Sequence, residues 1–155
     1  MMMKGCISMK IAIGCDELGI DLKNRLISKF TEQGHEFTDF GVGPDDKIDY
    51  PDIGFEVATA VAAKKFDRGI LICGTGIGMS ITANKVKGAY AAVCHDVYST
   101  QRSILSNNAN IMCMGAIVIG SATAETLTDI WLGLTFKDGR STPKIQKIYA
   151  MEKGQ

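Results

Sequence analysis

Two rhythms of apolar positions alternate along the chain. KIAIG at 10–14 is a short apolar run of strand type, and CDELG turns the chain out of it. Over 21–33, Leu22, Leu26, Ile27 and Phe30 recur at helical spacing, and Gly34 stands where a glycine ends a helix. HEFTDFG at 35–41 returns to the two-residue alternation of a strand. A polar loop with GPDD and DYP follows. Phe55, Val57, Ala58, Val61 and Ala62 then outline a small-residue helix over 54–65. GILIC at 69–73 is a continuous apolar run, which marks a strand buried on both faces. The pattern next predicts a helix over 77–86, a strand over 89–93 and a helix over 97–106. One or two strands fall within 110–120. A helix over 122–134 turns Ile130 and Trp131 inward, and a last helix covers 144–151.

Strand and helix alternate throughout, which implies parallel strands, right-handed crossovers and helices on both faces. The expected fold class is α/β: a three-layer α/β/α sandwich around a Rossmann-like open sheet of about five parallel strands. Residues 1–8 read as a leader that need not be ordered, and 9–155 as a single domain that includes the C-terminal helix. The working site of such a sheet lies beyond the carboxyl ends of its strands. Three polar turns fall there: Cys15-Asp16-Glu17, the stretch Cys73 to Gly78, and His95-Asp96.

Charge and composition narrow the classes. Seventeen basic residues balance 17 acidic ones, so no basic face for nucleic acid stands out. No apolar run approaches the ~20 residues of a membrane span, and MMMKGCIS lacks the apolar region of a signal peptide. The five cysteines, Cys6, Cys15, Cys73, Cys94 and Cys113, form no CxxC pair and are odd in number. A metal knuckle or a secreted disulfide framework is therefore not expected, and a reducing cytoplasm fits.

The chemistry concentrates in GILICGTGIGMSITANK at 69–85. GTGIG lacks the lysine of a P-loop, and GxGxG followed by Met79-Ser80 is not the dinucleotide spacing. An NAD-binding reading also needs an acid at the end of the second strand; Asp39 is close to that place, but the glycine spacing is wrong. The loop still offers backbone N–H groups at a helix N-terminus with little side chain in the way, an arrangement suited to an oxyanion or phosphate. A thiol beside that terminus is favoured as thiolate. Cys73 could then take a proton while the loop holds the negative oxygen that develops, the equipment for enolisation. The alternative is a buried cysteine that merely ends a core strand.

KIAIGCD, GHEFTDFG, DYPD, DRGILICGTGIGMSITANKVKG, CHDVYS and the NxAN of 107–110 closely resemble the ribose-5-phosphate isomerase B family, which includes the subunits of galactose-6-phosphate isomerase. The resemblance runs from residue 9 to about 148. It implies a sugar-phosphate isomerase domain that interconverts aldose and ketose through a cis-enediol(ate), with no metal and no cofactor. It also implies a homodimer or dimer of dimers with active sites shared between subunits, a small-molecule sugar phosphate as partner, and neither nucleic acid nor membrane. By position, Cys73 takes the proton-shuttling role; some relatives place a glutamate directly after the glycine loop, where this chain has Met79. Gly74, Gly76, Ile77 and Gly78 form the enediolate cradle, with Thr75 assisting through its hydroxyl. Asp16 and Asn107 match ligands of the sugar hydroxyls, Glu17 follows Asp16, and Asp49-Tyr50 matches a loop that lines the site. Arg140 fits a phosphate-binding arginine, and Lys144 takes the place of a second one without the bidentate fork.

Four positions depart from the family pattern. Glu17 stands for a histidine, Ser106 for the ring-opening histidine, Ile117 for an arginine and Ser141 for a histidine. Together they imply a different substrate or lost activity. Of the two histidines, His35 is expected in a surface turn, and His95 ends a strand on the catalytic side as a candidate compensating acid/base. Ser106 is a further site candidate. The leading reading is conversion of ribose 5-phosphate to ribulose 5-phosphate. The alternatives are the same chemistry on a tetrose or hexose phosphate, or a catalytically silent sugar-phosphate-binding subunit.

Overall fold

The structure, a computed structural model, describes residues 7–154. Residues 1–6 of the expected leader, Cys6 among them, lie outside the described residues. Ser8 is described, and its hydroxyl donates to the carbonyl of Gly34 at 2.7 Å.

Five strands form one sheet: β1 (Lys10–Cys15), β2 (Glu36–Asp39), β3 (Arg68–Cys73), β4 (Ala91–Val93) and β5 (Ile111–Gly115). Their order is β2-β1-β3-β5-β4, and every pairing is parallel. The register sets Gly69 beside Ile111 and Cys73 beside Gly115, so β3 and β5 end together. Six helices accompany the sheet: α1 (Ile20–Glu32), α2 (Tyr50–Ala62), α3 (Ile77–Ala83), α4 (Val97–Leu105), α5 (Ser121–Leu132) and α6 (Thr142–Lys153). Helices α2 and α3 pack together against the sheet, and α1 and α4 each pack against α5. The result is the expected three-layer α/β/α sandwich.

All of β3 is buried, as its unbroken apolar run requires, and Ile70, Leu71 and Ile72 are fully enclosed. Each such side chain contributes about 1.5–3 kcal/mol by leaving water. Leu22, Leu26 and Phe30 turn the inner stripe of α1 into the core. Trp131 is fully buried; its indole N–H donates to Ser103 Oγ at 3.1 Å, and the Arg68 guanidinium lies 4.8 Å from its ring centroid. Arg68 also donates to the carbonyls of Trp131 and Leu134, which ties the last turn of α5 to the start of β3. Burial pushes this guanidinium down to about 10.

Several boundaries differ from the pattern. Helix α2 starts at Tyr50 rather than 54, because Asp49 is extended and Pro51 sits in the first turn, where its missing N–H costs nothing. The region 110–120 holds one strand, β5, which then turns through 116–119. His35 is not in a surface turn. It is 3% exposed, its Nδ1 accepts from the Met9 N–H at 3.3 Å, and burial together with Arg68 holds it below the usual imidazole range. Among the described residues no helix is long and apolar enough to cross a membrane.

Candidate active site

A shallow groove of about 510 Å³ opens where β1 and β3 end. Asp16, Tyr50, Cys73, Gly74, Thr75, Ile77 and Gly78, seven of the residues singled out in the sequence, line it together. The sheet topology explains the convergence: β1 and β3 are neighbours and run the same way, so their following turns meet.

Cys73 is 5% exposed at the end of β3, and the Gly76 N–H donates to its Sγ at 3.1 Å. That bond strengthens as the sulfur gains negative charge. Gly76 reaches it with φ of +77°, and a Cβ there would stand 2.9 Å from the Met114 carbonyl carbon. Glycine is thus required on two counts. The loop is braced from β5. The Ala116 N–H donates to the Cys73 carbonyl at 2.8 Å, and the Ile117 N–H to the Gly74 carbonyl at 3.1 Å. These bonds occupy the carbonyls of Cys73 and Gly74. The first N–H groups of α3 have no acceptor within the helix. Thr75 Oγ1 accepts from the Ile77 N–H at 3.3 Å.

Gly78 shapes the next wall. A Cβ there would meet the Tyr50 ring at 2.5 Å, so the ring lies directly on the glycine. Asp16 caps the 3-10 turn Glu17–Gly19, accepting from the Leu18 N–H at 3.0 Å, which fixes its carboxylate at the groove. Glu17 is exposed and does not line the groove. Leu18 and Ile117 do, and both approach Gly74: a Cβ at 74 would stand 3.1 Å from Leu18 Cδ1 and 3.3 Å from Ile117 Cδ1. This end of the groove is therefore apolar. Leu18 and Ile81 line the groove as well, and no motif in the sequence marks them. The spacing of Ile77 and Ile81, both more than half exposed on α3, was the available signal.

His95 does not line the groove. Its Nε2 accepts from the Gly115 N–H at 2.8 Å, and burial lowers its pKa against the opposing pull of Asp96. A Cβ at Gly115 would meet Thr75 backbone atoms at 2.7 Å, so His95 props the strand end on which the glycine loop rests. Burial pushes Cys15 up to about 11 and raises Cys94 and Cys113 as well.

Asn107, Ser106, Arg140 and Lys144 lie elsewhere in the chain. Ser106 ends α4, and Asn107 donates from Nδ2 to the Arg102 carbonyl at 3.1 Å. Both precede β5, so they sit at the amino edge of the sheet, on the order of 17 Å from the Cys73 edge by strand length. Arg140 and Lys144 are exposed around the start of α6. That helix is bonded to the same amino edge through Tyr149 with Asn108, and through Glu152 with Gly88 and Tyr90. Among the described residues no group of three or more His, Cys, Asp or Glu is placed to hold a metal ion.

Comparison with known proteins identifies the family. The Ribose/Galactose Isomerase family matches residues 11–148. The chain is 55% identical over 137 residues to the ribose-5-P isomerase B of Listeria innocua, covering 88% of this chain and 93% of that protein. It is 46% identical over 141 residues to the D-erythrulose-4-phosphate isomerase of Pectobacterium atrosepticum, covering 90% and 93%. The solved structure of Clostridium thermocellum ribose-5-phosphate isomerase B superposes with a TM-score of 0.90 at 44% identity, over 94% of this chain and 99% of that one. With the fold, the glycine loop and the sequence in agreement over nearly the whole length, the chain belongs to the Ribose/Galactose Isomerase family and is an isomerase.

Proposed function

We propose that this protein interconverts ribose 5-phosphate and ribulose 5-phosphate, with Cys73 as the proton carrier. The observation that carries the reading is the Gly76 N–H bonded to Cys73 Sγ at the wall of the groove. The thiolate removes the C2 proton of the open-chain aldose. The electron pair forms the C1–C2 double bond, and O1 becomes the negative oxygen held by the N–H groups of the loop. A proton then passes from O2 to O1, O2 becomes the ketose carbonyl oxygen, and Cys73 returns its proton to C1. Asp16 accepts from sugar hydroxyls, and Tyr50 covers one wall. No redox partner enters the balance.

One chain is incomplete for this reaction. Asn107, Arg140 and Lys144 take their assigned roles if a second copy brings its amino edge to the groove. The exposed apolar side chains Ile77, Ile81 and Phe55 offer the surface for that pairing. We assign the working unit as a homodimer on this ground.

A second reading, the same chemistry on a tetrose 4-phosphate, is favoured by Ser106. A tetrose whose O4 is esterified cannot close a furanose ring, so it needs no ring-opening residue at that position. The apolar wall of Leu18 and Ile117 also suits a shorter chain.

The deciding experiment is incubation with each sugar phosphate in deuterated water, followed by NMR. Ribulose 5-phosphate formation with C2 exchange, lost in Cys73→Ala, supports the first reading. Turnover of D-erythrose 4-phosphate alone moves the assignment to the second. Binding of both without exchange overturns the enzyme and leaves a silent binding subunit.

A further inference from the structure

Lys23 is the one buried lysine among the described residues, 2% exposed on the inner face of α1. A lysine is almost never fully enclosed unless its charge is paired. Its Nζ donates to Asp39 Oδ1 at 2.9 Å and to the Val42 carbonyl at 2.9 Å. Asp39 ends β2, and its Oδ1 also accepts from the Gly41 N–H at 2.8 Å. One ammonium therefore spans the turn 39–42 from its first residue to its last. Neither Lys23 nor Asp39 lines the Cys73 groove.

That turn is bonded to the strand end that carries a groove residue. The Cys15 N–H donates to the Gly41 carbonyl at 2.7 Å, and the Val42 N–H to the Cys15 carbonyl at 3.0 Å. Cys15 is the last residue of β1, and the groove carboxylate Asp16 follows it. Towards β3, Asp16 is held by its own N–H, which donates to the Ile72 carbonyl at 3.1 Å. Burial raises the Cys15 thiol and the Lys23 ammonium opposes that rise, so the charge acts at the strand end itself. The Cys73 loop is braced from β5 instead, through the N–H groups of Ala116 and Ile117.

We propose that Lys23 is a positioning residue: by clamping the turn 39–42 onto the end of β1, it fixes the Asp16 carboxylate where the sugar hydroxyls bind. The turn presents a carboxylate and a carbonyl, both acceptors, and an ammonium with several donors satisfies the two at once. An apolar side chain of the same length fills the space and leaves both without a donor. The inference rests on the proposed role of Asp16 as a ligand of the sugar.

The test compares Lys23→Met, Asp39→Ala and the double variant with the wild-type protein. Steady-state kinetics on ribose 5-phosphate and D-erythrose 4-phosphate are paired with amide exchange followed by NMR. The first variant keeps the apolar stem and removes the donor. The second breaks the same bridge at a side chain 42% exposed, so it opens no cavity in the core. KM does not depend on the fraction of protein folded, whereas apparent kcat does, so a lysine that serves stability alone leaves KM unchanged. Each single variant is expected to raise KM roughly ten-fold, with kcat per folded molecule within about three-fold, because a hydroxyl contact is lost and the proton carrier is not. The double variant should be no worse than the worse single one, since one bridge underlies both. Exchange of the Val42 and Asp16 N–H groups should quicken while the amides of β5 keep their protection. Unchanged KM, or faster exchange spread evenly over the sheet, overturns the positioning role. If the wild-type protein turns over neither sugar phosphate, the proposed function falls. Faster exchange confined to Val42 and Asp16 then still supports the clamp, and unchanged exchange there overturns it.

Discussion

The backbone N–H of Gly115 donates to Nε2 of His95, across 2.8 Å. An acceptor nitrogen carries no proton, so the imidazole is neutral with its hydrogen on Nδ1. Gly115 in turn lies against Thr75 and the Gly74 carbonyl. A histidine two elements away from the thiol therefore sets the height of the glycine loop. His95→Ala is expected to cost about 1–3 kcal/mol, because a buried N–H loses its acceptor. It should also lower kcat with little change in KM. An unaltered kcat, measured with a stability curve in urea, would remove His95 from the support of the loop.

The chain has two histidines, and both are held below their usual range. Below about 6.5 the unfolded chain binds protons that the folded chain refuses. Stability is thus full above that pH and falls as pH drops through it toward the folded values. The urea midpoint should decline as pH falls below about 6.5. His95→Gln should flatten this slope without abolishing it, since His35 still contributes. A slope of equal steepness in His95→Gln would contradict the assignment.

Gly78→Ala drives a methyl into the Tyr50 ring, which now stands 2.5 Å from where it would be. The ring is 39% exposed and can swing away, so the fold should survive with about 1 kcal/mol lost or less. The groove loses its wall, and kcat/KM should drop at least ten-fold. In the double variant Gly78→Ala/Tyr50→Ala the two losses should not add, because one contact underlies both. Full additivity would separate the two residues.

Gly76→Ala combines a φ of +77° with a 2.9 Å approach to the Met114 backbone. The expected cost is about 1–3 kcal/mol, with loss of the N–H contact to sulfur. Gly120→Ala is the matched control: φ is −71°, and nothing lies within 4 Å of the added methyl. Thermal unfolding of the two proteins should differ clearly. Equal midpoints would show the loop to be less constrained than its contacts require.

Glu152 accepts from the Tyr90 hydroxyl at 2.7 Å and from the Gly88 N–H at 2.8 Å, and these bonds hold its carboxyl below the ordinary carboxylate range. Ile145 is the one buried side chain of α6, and its far end is anchored by these polar contacts and by the Tyr149 ring, 5.1 Å from that of Tyr90. Glu152→Ala should speed amide exchange over the second half of α6 and leave α5 unaffected. Acidification should do the same, since the depressed carboxylate holds the helix above its ordinary pKa and releases it as pH falls through the folded one. Unchanged exchange in α6 would mean that Tyr149 with Asn108 suffices.

The fold was legible wherever burial leaves a period in the sequence. Ile70, Leu71 and Ile72 are buried on both faces, and the unbroken run says so. The glycine loop was legible because few structures besides an anion cradle place Gly74, Gly76 and Gly78 after a buried strand. The start of helix α2 is hidden, since Tyr50-Pro51-Asp52 looks like a turn until proline is allowed in a first helical turn. His35 sits between Gly34 and Glu36, a surface pattern, and only the long-range approach of Arg68 and Met9 makes it interior. Asn107 is marked by its neighbours in the NxAN stretch, whereas its end of the sheet follows from the topology: it precedes a strand, and Cys73 ends one.

That opposition has a consequence for mixtures. In the proposed two-fold pair each groove would draw Cys73 from one chain and Asn107 from the other. A chain carrying Cys73→Ala and a chain carrying Asn107→Ala should each be inactive alone. Unfolded together and refolded, they form some pairs in which both lesions fall on the same groove, and the opposite groove is wild type. With random pairing about a quarter of normal turnover should return. On the proposed pairing, the length of one β-strand would make catalysis a property of the pair, inherited from two chains at once.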